Sequence, residues 1–184
     1  YPDFEHPREF LEFEFIALVN TYLALAATIS SSGHGGMIVI VQERDKVQAK
    51  DLRIKYRCDA AILRNAFVAF MNARHTLGEF SALLDDGHAV PNSAILEAEL
   101  MSRDAFDNLV EATRFIAGLA GCDGAIVLSD DLEIIGFGAE IRAELRKGAR
   151  VYEGKVIFDQ KLRGCDIEQF GMRHRSAVKL VSQS

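Results

Sequence analysis

The run Met37-Ile-Val-Ile-Val41 constrains this chain most. It holds four β-branched residues in succession, sits between Gly35-Gly36 and the polar Gln42-Glu43, and is too short for a helix. Such a run reads as a strand buried on both faces. A strand of that kind needs apolar cover above and below, and helices packed on a sheet supply it.

The preceding segment is suited to be such a helix. Leu11, Phe15, Leu18, Tyr22, Leu25 and Ile29 recur at three- and four-residue steps, which predicts one face of a helix over about residues 7–30, packed against the sheet. Residues 30–36, Ser-Ser-Ser-Gly-His-Gly-Gly, end it. A glycine-rich loop beside a strand can cradle phosphate. This one precedes its strand and lacks the Lys-Ser/Thr of a P-loop, so a helix C-cap and connection is the simpler reading.

Farther along, Leu52, Ile54 and Tyr56 alternate with Arg53, Lys55 and Arg57, the pattern of a half-exposed strand. Asp59 is placed to cap a helix whose core stripe is Ile62, Leu63, Ala66, Phe67 and Phe70. Turn signals at Asp85-Asp86-Gly87 and Pro91-Asn92 predict a loop or insertion around 72–102. A helix over about 102–120 follows, with Phe106, Leu109, Val110, Thr113, Ile116 and Ala117 facing inward. Residues 125–128 and 132–137 read as two strands joined by a turn at 129–131, and 155–159 as a further short strand. The expected architecture is one α/β domain over 1–184 with a mixed central β-sheet flanked by helices. Residues 1–34 form its N-terminal helix and connection, and 35–184 its core.

Composition narrows the function classes. The 184 residues fit one domain, and a net charge of -6 argues against a general nucleic-acid binder. Three widely spaced cysteines, Cys58, Cys122 and Cys165, indicate neither a disulfide framework nor a zinc site. The apolar run 15–29 is broken by Asn20 and Thr21 and falls short of the roughly 20 residues of a membrane span. With no basic segment ahead of it to mark a signal peptide, a cytoplasmic protein without a span is expected. Tyr1 is not a natural start, so the chain reads as a fragment. His6, His34, His75 and His88 have no partner at metal-ligand spacing.

Two segments carry chemistry. Asp123-Gly124-Ala125 stands where a helix ends and a buried strand begins, either as a plain Asp-Gly turn or as a carboxylate set at a cleft beside a glycine that admits a ligand. Gly171 precedes a helix start that carries Arg173, His174 and Arg175, with Ala177, Val178 and Val181 on its buried side. Cations oppose the dipole at a helix N-terminus, so the trio is either a solvated surface feature or waits for an anion. Arginine forks match phosphate oxygens, and histidine can donate a hydrogen bond or move a proton.

"DGAIVLSDD" followed some fifty residues later by "GMRHRSA" resembles the diadenylate cyclase (DAC) domain family, whose signatures are Asp-Gly-Ala and Arg-His-Arg. "GGMIVIVQE" is similar to the family's early buried strand and "CDAAILRNAF" to the helix before its first motif. The resemblance implies a DAC-like fold and condensation of two ATP into cyclic di-AMP with release of two pyrophosphates. It also implies Mg²⁺ or Mn²⁺ and a homodimer in which two protomers, each holding one ATP, meet face to face. Carried over, Asp123 would orient or deprotonate the attacking 3′-hydroxyl and help hold the metal. Gly124 and Ala125 would contact the nucleotide through their backbone. Arg173, His174 and Arg175 would grip the phosphates, and Ser176 would add a hydroxyl.

This chain departs from the family at Met172, where a Thr or another residue is expected, in a stretch from Met71 to about Ser102 longer than the family's usual connection, and in "GFGAEI" after the hairpin, a segment that in the family helps hold the base. The family also continues past the position of Ser184 into a strand and an acidic loop. The alternative is a degenerate domain of the same fold that binds ATP or a cyclic dinucleotide as a sensor.

Overall fold

The computed structural model describes residues 7–33, 35–42, 51–147, 149–153 and 163–182. Among them is a mixed sheet whose two central strands are β4 (Ala125–Ser129) and β5 (Ile134–Ile141). On one side of β4 runs β1 (Met37–Val41), parallel, with Met37 opposite Ala125. β5 runs antiparallel to β4, and its far edge pairs with β2 (Leu52–Arg53) and β3 (Tyr56–Ala60). A separate two-stranded ribbon joins β6 (Tyr152–Glu153) to β7 (Arg163–Gly164). The strand expected at 155–159 lies outside the described residues.

β4 sorts its side chains by the two-residue period of a strand. Ile126 and Leu128 enter a core with Leu25, Ile29, Leu63, Leu109 and Ile116 from the helices. Ala125 and Val127 enter a second core on the opposite face, with Val39, Leu52, Ile135 and Ala139, against which Leu180 packs. The expected double-sided burial therefore belongs to β4, all five of whose residues are buried. It fails for β1, where Val39 is buried but Ile40 is 48% exposed. β1 ends the sheet's strand order, so its outer edge has no strand neighbour among the described residues.

The helices correct the expectation more strongly. α1 (Pro7–Ser31) buries Leu25 and Ile29 and packs along α3 as well as over the sheet. Phe15, assigned to the buried stripe, is 66% exposed, as are Ile16 at 55% and Leu23 at 61%. By length and composition the window Phe13–Ser31 could cross a membrane, so the apolar segment is longer than the run 15–29 suggested.

Around 72–102 there is no loop insertion. α2 (Ile62–Asp85) continues to Asp85, and α3 (Asn92–Gly118) folds back along it after a six-residue connection, 86–91. The turn signals are real but all act in that one connection, where Gly87 takes a positive φ of 79° and Pro91 stands at the N-cap. Ala98, Ser102 and Ala105 are buried in α3, so small side chains replace the large apolar stripe that marks most helices. Asp59 does not cap α2 either. The chain is still in β3 there, with Ala60 opposite Ile134, and Ala61 is the N-cap. The half-exposed strand expected over 52–57 divides into β2 and β3, both held by β5.

Candidate functional site

Two ends of the sheet and one helix start converge on a cleft of about 770 Å³. Antiparallel pairing sets the end of β5 beside the start of β4, since Ala139 lies opposite Ala125. Parallel pairing brings Met37 at the start of β1 to the same level. The cleft is walled by Asp123, Gly124 and Ala125 on one side and Gly138 to Ile141 on another. Gly171 to His174 and Ser176, at the N-terminus of α4 (Met172–Val181), close the third. The Asp-Gly-Ala segment and most of the Arg-His-Arg segment, half a hundred residues apart in the chain, thus share one cavity.

Asp123 is exposed at the mouth of the cleft. Gly124 is required there, but for a different reason from the one read in the sequence. Its φ is +117°, and a Cβ would lie 2.5 Å from the Gly138 carbonyl carbon and 2.8 Å from the Ala139 nitrogen and oxygen. The close approach is made by the backbone of β5, at the point where the β4–β5 register shifts after Ala125.

The helix start also has a defined setting. Gly171 is the N-cap, with no side-chain cap, and its carbonyl accepts from the Arg175 N–H at 3.1 Å. The Arg173 guanidinium lies beside Gly35, whose φ is +61° and whose Cβ would sit 3.1 Å from Nη1. The glycine-rich connection is therefore a neighbour of the site as well as a helix end. His174 stands 6.4 Å, ring centre to ring centre, from Phe170.

Arg175 does not line the cleft. Its Nη1 is 2.5 Å from Glu168 Oε2, on the short 3-10 turn Ile167–Gln169, which Asp166 caps by accepting from the Glu168 N–H. At Arg175, therefore, a carboxylate of the chain itself supplies the negative charge. On the buried side of α4, Ala177 and Val178 are half-buried as expected, but Val181 is 71% exposed, and Leu180 makes the core contact instead.

The β5 wall of the cleft falls in "GFGAEI", the segment noted in the sequence as departing from the family, but sequence reasoning did not single out its carboxylate. Glu140 contributes a second carboxylate, whose Oε2 accepts from Arg142 Nε at 3.1 Å and Nη2 at 2.9 Å. Only the register of β5 on β4 reveals it, because Glu140 and Asp123 have no sequence relation. As for a divalent ion, no group of three His, Cys, Asp or Glu side chains gathers among the described residues. Mg²⁺ asks less of a protein, since it is commonly held by one or two carboxylates and substrate phosphates. The exposed Asp123 beside a cationic helix start fits that arrangement. No family model, curated protein or solved structure matches this chain.

Proposed function

We propose that the cleft binds the triphosphate of ATP and that the domain is a diadenylate cyclase with a DAC-like fold. The carrying observation is that Asp123, Gly124 and Ala125 share a 770 Å³ cavity with Arg173, His174 and Ser176. A volume of that size suits a small organic ligand, and a cationic helix start in a chain of net charge -6 suits an anionic one.

In this reading the 3′-hydroxyl of one ATP attacks the α-phosphorus of the other. The α–β phosphoanhydride bond breaks in line, and pyrophosphate leaves with its electron pair. Asp123 accepts the hydroxyl proton. Arg173 and His174 hold the phosphates and offset the charge gained by the leaving group. Asp123 would also hold Mg²⁺ or Mn²⁺, an ion that neutralises phosphate charge when bound. The reaction occurs twice across two protomers placed face to face, because one cleft holds one nucleotide.

The test is incubation of the purified protein with ATP and Mn²⁺, with mass spectrometry for cyclic di-AMP. Product that disappears in Asp123→Asn with ATP affinity retained supports the reading. Absence of product at high protein concentration overturns it. A second reading, a sensor that binds ATP or a cyclic dinucleotide without chemistry, draws on the pairing of Arg175 with Glu168 outside the cleft. ATP binding without product in the same assay selects it.

A further inference from the structure

A second concavity, about 720 Å³, lies against the C-terminal half of α4, which forms one wall with Val178 and Val181. The facing segment supplies Arg146, Lys147, Arg150 and Tyr152. Three cations within five positions are unexpected in a chain of net charge -6. All three are exposed, and among the described residues no carboxylate lies within ion-pair distance of any of them.

Cations gather near helix C-termini for a structural reason, the negative end of the dipole. Here Lys179 already occupies the last turn of α4. Arg146 meets the helix end through its backbone, whose N–H donates to Ser182 Oγ at 3.1 Å. The dipole therefore does not explain a concave surface that also leaves Tyr152 49% and Val181 71% exposed. An aromatic side chain, an aliphatic wall and guanidinium groups with no carboxylate partner among the described residues, in one groove, match a ligand with an aromatic ring and a phosphate.

We propose that this groove is a nucleotide site, with phosphate held by Arg146, Lys147 and Arg150 and the base on Tyr152. It is separate from the cleft, which takes only the N-terminal end of α4, and it stands independently of the cyclase reading.

AMP is the probe, with calorimetric titration of three proteins: the wild type, Arg173→Ala and the double variant Arg146→Ala/Arg150→Ala. The substituted side chains are exposed, and matching thermal melts show that each variant folds. AMP binding that persists in Arg173→Ala and vanishes in the double variant supports the groove. Tyr152→Ala should then weaken it about tenfold. Absence of AMP binding to Arg173→Ala at millimolar concentration overturns the proposal, as does full binding by the double variant. Tripolyphosphate binding as tightly as AMP, with Tyr152→Ala unchanged, overturns the nucleotide assignment in favour of a bare anion. Titrating ATP into the double variant reports on the cleft alone, so the two readings fail separately.

Discussion

At the scale of single residues, Gly124 and Tyr22 carry the firmest expectations. Gly124→Ala must place a methyl against the β5 backbone at a φ that side chains rarely adopt. A loss of roughly 1–3 kcal/mol is expected from the strained backbone alone. Urea denaturation measures it, and an unchanged midpoint would contradict the packing described. Tyr22 donates its hydroxyl to the Ser129 carbonyl at 3.0 Å, beneath the β4–β5 turn. Burial and then the charge of Asp130 push its pKa up to about 12, with Asp131 adding to the rise and a hydrogen bond from the Leu132 backbone opposing it. The folded protein therefore keeps this proton where the unfolded chain, near 10, has lost it. Stability from this group is complete below pH 10 and declines as pH rises toward 12. Tyr22→Phe should flatten that part of the stability profile, and an unaltered slope would remove the assignment. Neither expectation was legible in the sequence. The Gly124 motif was visible, but what fills its missing side chain depends on strand register, and Tyr22 looked only like a member of an apolar stripe.

At the scale of elements, the strands β1 and β4 and the presence of the helices were legible, but the inward faces were not: the alternating run 52–57 divides into β2 and β3 with Tyr56 exposed, and Ile62 and Phe106, assigned to core stripes, are about half exposed. The α2–α3 hairpin was not legible either, because its distal contact uses Ala98, Ser102 and Ala105, residues that apolar periodicity passes over. The start of α4 was legible as a place of conflict between cations and helix dipole. The resolution of that conflict differs along the trio: Arg173 faces the cleft, while Arg175 meets Glu168. If the cleft binds ATP as proposed, Arg173→Ala should weaken that binding about tenfold or more, as expected when a charged hydrogen bond worth about 1.5–3 kcal/mol is lost. Arg175→Ala should weaken it less than about fivefold, since an exposed ion pair contributes about 1 kcal/mol at most. Calorimetric titration at one salt concentration compares them. Equal losses would mean that Arg175 leaves Glu168 when the nucleotide arrives.

At the scale of the molecule, α1 poses the sharpest question, because one helix meets two criteria at once. Its length and hydropathy would allow it to cross a bilayer, and its outer face shows Phe15, Ile16 and Leu23. Its inner face is part of the domain, since Leu25 is fully buried and Ile29 nearly so, in one cluster with Leu63, Leu109, Ile116, Ile126 and Leu128. A helix cannot give the same leucine to lipid and to this core. Composition could not separate these roles, because an apolar helix reads alike whether protein or lipid covers it. The packing separates them by experiment. Leu25→Ala should cost about 2–5 kcal/mol, the range for a leucine truncated in a core. Leu23→Ala, on the same helix but 61% exposed, should stay within about 0.5 kcal/mol. Urea denaturation in detergent-free buffer reads both. Equal and small effects would detach α1 from the domain, whereas a large effect at Leu25 alone makes it the helix that closes the core behind β4 and so holds the floor of the cleft in place.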